Sequence, residues 1–236
     1  SILRRCHTFF EKYWQNMMKQ NTIRVPQGCP TVKKAMALAV IFSGRKEYTA
    51  DDPLKIKLDK GIHENVGGQL GGMNVTCSYI TFVGKGKDHT TVRGGFNVGN
   101  QQHVTFEELA ITNSRGFGLL CGGSGTNVDV TECCFKKCQN AGMDVREGAT
   151  VTASQCEFTE NGVDGVVCVG ANTKARLNDC AVHHNGRDGL VALDCAVVDL
   201  HGTKMDIHSN KGVGIYAGRR GKVNIHLPSQ HNTSHD

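Results

Sequence analysis

From Gly94 onward, apolar and polar residues alternate in short segments that recur at a fixed interval. Six successive units of about 24 residues can be cut there, each opening on a glycine. A repeat of this length predicts a solenoid, because one unit cannot bury its apolar face alone. The leading glycines are Gly94, Gly118, Gly142, Gly165, Gly189 and Gly214.

Each unit contains three alternating segments, which predict three short strands with one face inward. Strands that stack on their copies in the next unit, at about 4.8 Å, make an all-β, single-stranded parallel β-helix. A leucine-rich repeat would need a Leu/Asn consensus and a helical segment, which these units lack. Ankyrin and tetratricopeptide repeats are excluded by the period and by the density of glycine.

Two residue types recur at inward or turn positions of successive units. Asn161, Asn185 and Asn210 follow the third strand, where asparagine tolerates left-handed backbone and an amide can bond its copy one coil away. We therefore predict an internal asparagine ladder. Cys133, Cys156 and Cys180 form a second column, and because parallel, in-register side chains point the same way, packed thiols are expected rather than disulfides.

The chain before Gly94 is less regular. Residues 1–21 have an apolar stripe at helical spacing, which predicts an amphipathic helix docked on the solenoid or the end of a preceding domain. Residues 22–93 are expected to hold a strand at 22–25, a helix at 31–41 that caps the first coil, and strands at 54–58 and 79–83. Residues 94–236 form the regular coils, which we expect to continue past the last residue. The helical stripe comprises Phe9, Phe10, Tyr13, Trp14 and Met17.

Composition limits the partners. A chain of 236 residues fits one elongated repeat domain, and 29 glycines suit many tight turns. The net charge is +5, but the basic residues are scattered and aromatics make up 6%, so nucleic acid is not an expected partner. No apolar run approaches about 18 residues, so no membrane span is expected. Eleven cysteines, mostly inward, with no visible leader favour an intracellular, reducing compartment.

Three N-terminal stretches carry a family resemblance: P-T-V-K-K-A-M at 30–36, K-I-K-L-D-K-G-I-H-E at 55–64 and Y-I-T-F-V-G-K-G-K-D-H-T-T-V-R-G at 79–94. With the later N-G-x-D-G turns, they resemble the pectin-lyase-like right-handed parallel β-helix superfamily, including its carbohydrate-binding, sugar-hydrolase-type and alginate-epimerase members. The resemblance covers residues 22–236 and implies the right-handed fold. It does not imply one activity, because that superfamily holds lyases, hydrolases, esterases, epimerases and non-catalytic modules.

The catalytic motifs of those relatives are missing. The G-H-G and R-I-K segments of polygalacturonases, the D-F-I-F-G of pectin methylesterases and the D-P-H-E of alginate epimerases do not occur. A pectate-lyase site needs aspartates around Ca²⁺ and an arginine base. Asp144 and Arg146, outward on one strand, come nearest, with Asp129 and Arg176 outward on the neighbouring face. Ca²⁺ is expected only if this is a lyase, and no other cofactor is indicated.

Histidines supply one further candidate. His183 and His208, with Asp206, fall outward on the third strands of adjacent coils, and two imidazoles with one carboxylate are a possible metal-ligand set. A solvated ladder is the favoured interpretation of these residues.

The first strand of several coils is apolar on both faces. Its outward positions there hold Val167, Val169, Val191, Leu193 and Tyr216, with Leu120 at the flank. Such an interaction patch predicts a cover, which could be the N-terminal helix, a segment outside this sequence or a partner. Catalytic members of the superfamily hold their active-site cleft on this face, so the resemblance implies that a cleft in this chain would lie there too.

Three functions remain open at this stage. The first is a non-catalytic β-helix module that binds a glycan or a protein surface. The second is a polysaccharide-acting lyase, hydrolase or epimerase with a divergent site. The third is a substrate-recognition or scaffold module fused to an upstream domain, since Leu3, Cys6, Phe9 and Trp14 are faintly similar to the end of an F-box.

Overall fold

The computed structural model describes residues 15–65 and 71–226 and the backbone of 234–235. The described strands form three parallel sheets, and the chain visits them in turn as it winds. Successive coils pair in register, for example Val128 with Val151 and Val166 with Leu190. The predicted parallel β-helix with three strands per coil is confirmed.

Sheet A has nine described strands, in spatial order β1 (Thr22–Val25), β2 (Leu54–Leu58), β5 (Ile80–Val83), β8 (Val104–Glu107), β11 (Asn127–Thr131), β14 (Thr150–Ser154), β17 (Lys174–Asn178), β20 (Val197–His201) and β23 (Lys222–His226). Sheet B has eight: β3 (Gly61–Glu64), β6 (Thr90–Arg93), β9 (Ala110–Thr112), β12 (Cys134–Lys136), β15 (Glu157–Thr159), β18 (Ala181–His183), β21 (Asp206–His208) and β24 (Ser234–His235). Sheet C has seven: β4 (Gly72–Val75), β7 (Gly95–Gly99), β10 (Leu119–Gly122), β13 (Met143–Arg146), β16 (Val166–Val169), β19 (Leu190–Leu193) and β22 (Ile215–Ala217).

The core runs along the axis between the three sheets. In the inner coils, the residues assigned inward by alternation are buried, and aromatic side chains stack on their copies one coil away. The rings of Phe135 and Phe158 lie 5.1 Å apart and are inclined by 6°. Where a residue type recurs at the same position, as phenylalanine does here, the same packing contact is repeated in the next coil.

Helices close the N-terminal end. Residues 15–19 are helical, and α1 (Val32–Ser43) packs on β1 and β2. The Thr31 hydroxyl caps α1 by accepting a hydrogen bond from Lys34 N at 3.2 Å. The predicted helix is confirmed but ends two residues later, at Ser43, which buries Phe42 as well. Neither described helix is long and apolar enough to cross a membrane.

The predicted N-terminal stripe is described only in part. Phe9, Phe10, Tyr13 and Trp14, and with them the proposed cover of the patch and the F-box-like residues, lie outside the described residues. Met17 is buried in the core cluster, and β1 begins five residues later. This end of the segment therefore belongs to the first coils, far from the patch strands β16, β19 and β22.

The internal asparagine ladder is present. Asn185 Nδ2 donates to Asn210 Oδ1 at 2.9 Å, and Asn161 Nδ2 donates to Asn185 Oδ1 at 3.0 Å. All three asparagines are buried. Of the two expected reasons for asparagine, the bonding of each amide to its copy is confirmed, but the left-handed backbone is not, because the left-handed residues are those that precede each asparagine. These are Glu160, His184 and Ser209.

The ladder also explains three of the leading glycines, Gly142, Gly165 and Gly189, because each lies against one of its asparagines. A Cβ on Gly189 would lie 2.7 Å from Asn210 Nδ2 and 2.5 Å from the Gly214 carbonyl oxygen. A Cβ on Gly165 would meet Asn185 Nδ2 at 2.9 Å. At Gly165 and Gly189 glycine is therefore required by close approach between coils, whereas Gly94 also has a φ of 113°, which favours glycine.

The thiol column is also confirmed. Cys133, Cys156 and Cys180 are buried, and no described cysteine forms a disulfide. Each thiol lies near backbone carbonyls, and Cys156 Sγ donates to the Ser154 oxygen at 3.3 Å. Burial raises the pKa of Cys133 to about 12. Cys133 therefore stays protonated in the folded state, and burial keeps reagents in solution away from all three thiols.

The last described coil differs from the inner ones. Ile225 and Ala217 are exposed although alternation places them inward, and Val223 and Ile215 are half-buried. β23 and β22 are the final described strands of sheets A and C, so no described strand packs over them in these sheets.

Candidate functional site

The outer face of sheet C combines polar, charged and apolar side chains in one line. We call the residues at its middle outward position the central column. They pair strand by strand across the sheet. The central column consists, in order, of Asn74, Asn97, Leu120, Asp144, Val167, Val191 and Tyr216.

The column changes character along the solenoid axis. Asn97 Nδ2 donates to Asn74 Oδ1 at 3.2 Å at the polar end. At the other end Val191 is 2% exposed and Tyr216 is 48% exposed. The neighbouring outward positions Val169 and Leu193 are half-buried. The predicted apolar residues therefore do share one face, but it is largely covered at Val191 and open at Tyr216.

A cleft of about 520 Å³ lies over the polar end of this face. Gly99 and Gly122 pair across β7 and β10, so no side chain fills that outward position. Leu120 and the aliphatic part of Arg146 add apolar surface beside the amides. The lining also includes Asn74, Asn97, Asn100, Gln101 and Glu147.

Asp144 and Arg146 form an ion pair between the cleft and the apolar half of the central column. Arg146 donates from Nε to Asp144 Oδ1 at 2.7 Å and from Nη2 to Asp144 Oδ2. The hydrogen bond that Arg146 donates to Asp144 raises the pKa of Arg146. Phe117 lies beneath the guanidinium, 5.6 Å from its ring centre. Asp144 is outward, as predicted, but it is 2% exposed and so not part of a solvated face.

Asp129 and Arg176 lie on a different sheet. They occupy one outward column of sheet A with Thr152 between them, which separates them by two strand spacings. Burial raises the pKa of Asp129. The four residues considered for a lyase site therefore form no single cluster, and only Asp144 and Arg146 are in contact.

His183 and His208 stack on the outer face of sheet B, with ring centres 4.9 Å apart and planes inclined by 8°. His183 Nε2 lies 3.3 Å from Glu157, which also pairs with Lys87 at 3.1 Å. Burial lowers the pKa of His183. Asp206 lies 3.6 Å from His208. Among the described residues this set does not bring three ligand atoms close together, so it is a weaker metal candidate than the sequence indicated.

A second stacked histidine pair was missed. Asp199, His201 and His226 lie on the outer face of sheet A, and their ligand atoms all fall within 4.8 Å of one another. His201 and His226 are one repeat apart, and Asp199 lies two residues before His201 on β20, so both side chains project from the same face. The same alternation that places Val198 and Leu200 inward would have identified this group.

Comparisons with known proteins agree with the architecture. Pectin methylesterase PemA from Erwinia chrysanthemi superposes with a TM-score of 0.53 at 11% identity, over 76% of this chain and 65% of that protein. The A-module of mannuronan C-5 epimerase AlgE4 from Azotobacter vinelandii gives 0.54 at 16% identity, over 82% and 70%. ORF18 of Geobacillus virus E2 gives 0.59 at 10% identity, over 85% and 51%. This chain thus spans only part of each neighbour, and identities this low establish the fold alone.

No match was found among curated protein sequences. A family model described as a right-handed beta helix region matches residues 70–229, which is more than half of the chain. That range includes the three-sheet coils, the asparagine ladder and the outer face of sheet C described above. The chain therefore belongs to the right-handed β-helix family.

Proposed function

We propose that the outer face of sheet C binds a linear glycan, and that the chain acts as a binding module without catalysis. The observation that carries this proposal is the cleft at the polar end of the central column. Side-chain-free positions at Gly99 and Gly122 leave room for a ligand against the sheet, and amides line its wall. An extended face built from stacked coils suits an extended ligand.

The amides provide the polar contacts. An asparagine side chain offers two N–H donors and an oxygen that accepts two hydrogen bonds. The bond from Asn97 to Asn74 uses one donor and one acceptor position of the pair. The remaining capacity matches sugar hydroxyls, which both donate and accept. Half-buried Leu120 and Val167 provide apolar surface for the C–H faces of sugar rings.

Arg146 would select for acidic sugars. Its guanidinium has five N–H donors, and the two bonds to Asp144 use two of them. The side chain is 42% exposed, so the other donors face the cleft, where they can hold a carboxylate or a hydroxyl. The names of two structural neighbours mention pectin and mannuronan, which supports testing acidic polysaccharides first.

Binding to polygalacturonate, alginate and a neutral glucan, measured by affinity electrophoresis and calorimetry, tests the proposal. We expect the acidic polymers to bind and Arg146→Ala to weaken binding about tenfold, which corresponds to ~1.4 kcal/mol. Asn97→Ala should also weaken it. Asn178→Ala is the matched control, because Asn178 donates to Ser154 at 3.1 Å in a similar outward ladder on sheet A.

Two results would overturn the proposal. One is the absence of binding to all three polymers at millimolar sugar concentration. The other is an equal loss of affinity in Asn97→Ala and Asn178→Ala, which would mean that the ligand does not use sheet C. If the same face bound a protein rather than a glycan, the result would favour a non-catalytic module that binds a protein surface.

The ion pair favours a second candidate, a polysaccharide-acting enzyme. A carboxylate that is 2% exposed and bonded to an arginine beside a cleft is the kind of group that enzymes use for proton transfer or charge stabilisation. A turnover screen on the same polymers, with and without Ca²⁺, separates the two functions. We expect no turnover. Turnover that Asp144→Asn abolishes while binding remains would replace the binding module with an enzyme.

A further inference from the structure

We propose that Asp199, His201 and His226 form a binding site for a divalent transition metal of the Zn²⁺ class. The site lies on the outer face of sheet A, on β20 and β23, away from the glycan face on sheet C. It does not depend on the proposed function. The three side chains offer two imidazole nitrogens and one carboxylate oxygen, and these ligand atoms lie within 4.8 Å of one another.

Strand pairing holds the backbone of the site in place. Asp199 and His201 are two residues apart on β20, so they project from the same face. His226 is the direct partner of His201 on β23, and the two rings lie 4.4 Å apart with planes inclined by 8°. The two ligand columns are therefore set by the repeat itself rather than by a loop.

The side chains are only partly satisfied by the protein. Asp199 Oδ1 accepts a hydrogen bond from Asn224 Nδ2 at 2.9 Å and lies 3.3 Å from His226 Nε2. His201 Nε2 is buried from solvent and has no hydrogen-bond partner. An unsatisfied buried nitrogen costs free energy, so each such atom calls for an explanation. A metal ion bound on this side of the rings would be coordinated by the lone pair of His201 Nε2.

The ligand types indicate the metal. Imidazole nitrogen with one carboxylate suits Zn²⁺ and neighbouring transition metals, whereas Ca²⁺ and Mg²⁺ prefer oxygen ligands. Zn–N bonds of about 2.0–2.1 Å in a tetrahedral site place ligand atoms ~3.3 Å apart. The ligand nitrogens must therefore move closer together when the ion binds, which requires the stacked rings to tilt. Half-exposed His226 has the room to do so, and water can complete the coordination.

One neighbouring charge opposes the site. Arg176 precedes Asp199 in the outward column of sheet A, directly across β17 and β20. Its positive charge attracts the Asp199 carboxylate and repels a cation. Removal of this charge should therefore strengthen metal binding, an effect that a purely structural role for the histidines does not predict.

The other stacked histidine pair supplies the control. His183 and His208 have nearly the same ring geometry, at 4.9 Å and 8°. His183 is already bonded to Glu157 and Thr159, and no third ligand atom converges with the pair among the described residues. A general affinity of surface histidines for metal would affect both pairs equally.

Titration of the full chain with Zn²⁺ by calorimetry, and with Cu²⁺ by electron paramagnetic resonance, tests the site. We expect one ion per chain and a Cu²⁺ signal split by two nitrogens. His201→Ala and His226→Ala should each lower affinity more than tenfold, and Asn224→Ala, which removes the bond that orients Asp199, about tenfold. Arg176→Gln should raise affinity, and His208→Ala should leave it unchanged.

Circular dichroism of each variant shows whether the fold persists, and half-exposed His226 keeps the test decisive if His201→Ala fails to fold. The proposal is overturned if the chain binds no Zn²⁺ at millimolar concentration. It is also overturned if His208→Ala reduces affinity as much as His226→Ala, because the binding would then be non-specific.

Discussion

Two sets of stacked asparagines occupy the inside and the outside of the solenoid, in different coils. Asn161, Asn185 and Asn210 lie inside, where each amide bonds its copy and a backbone carbonyl. Asn74 and Asn97 lie on the outer face of sheet C, where one bond joins them and solvent reaches them. Residue type and repeat spacing are nearly the same in both sets. Burial decides that the first set stabilises the fold and the second is available to a ligand.

The largest expected effect is on the inner set. Asn185→Ala removes an amide that donates to Phe158 O and Asn210 Oδ1. Its oxygen also accepts hydrogen bonds from the backbone and side-chain nitrogens of Asn161. Because these groups are buried and lose their partners, we expect the free energy of unfolding to fall by ~3 kcal/mol. Urea denaturation measures this, with Asn178→Ala as the outer control at under ~0.5 kcal/mol. Equal losses in the two variants would remove the distinction between inside and outside.

A smaller effect is expected in the apolar half of the outer face. Val191→Thr keeps the shape but places a hydroxyl where only 2% of the residue is exposed. The unsatisfied hydroxyl should cost about 1–2 kcal/mol. Val169→Thr, at a half-buried position of the same face, should cost little. Urea denaturation measures both losses. A larger loss for Val169→Thr than for Val191→Thr would contradict the assigned burial.

The thiol column should be less sensitive. Cys156→Ser retains a donor near the Ser154 and Val130 oxygens, which lie 3.3 and 3.5 Å from Sγ, so we expect a loss of about 1 kcal/mol. Thiol labelling provides a second measurement. Cys133, Cys156 and Cys180 should react only in denaturant, whereas exposed Cys195 should react in the native protein. Rapid native labelling of all four would show that the column is not inside.

The smallest effect on stability is expected for Asn97→Ala, under ~0.5 kcal/mol, because the side chain is only partly buried and makes one bond to an exposed partner. The same variant should weaken glycan binding if the proposal for sheet C holds. Paired measurements of the unfolding midpoint and of polygalacturonate affinity separate the two effects. A large loss of stability with normal affinity would make the outer pair structural as well.

Most of the architecture could be predicted from the sequence because the repeat presents the same signal many times. Alternation placed Leu119, Val128 and Phe135 inside, and all three are buried. The asparagine and cysteine columns followed from their spacing. The end of α1 did not, because Phe42 is recruited by packing against the first coils rather than by a local signal.

The candidate site was only partly predictable. Alternation gives the side on which Asp144 lies but not its burial, which depends on the bulk of Leu120 and Val167 beside it and on the ion pair with Arg146. The cleft depends on the coincidence of Gly99 and Gly122 on adjacent strands. His201 and His226 were not among the candidates named from the sequence. Alternation places them outward with Asp199, but the convergence of the three ligand atoms depends on side-chain positions that spacing alone does not show.

The register of the coils has a consequence for how such a molecule can change its length. Because every coil pairs residue for residue with the next, insertion of one whole unit of about 24 residues would extend the outer face by one step of ~4.8 Å and leave both asparagine sets continuous. Insertion of a single residue within a strand would instead exchange the inner and outer side chains of that strand. The outer face of sheet C can therefore lengthen or shorten only in steps of one whole coil.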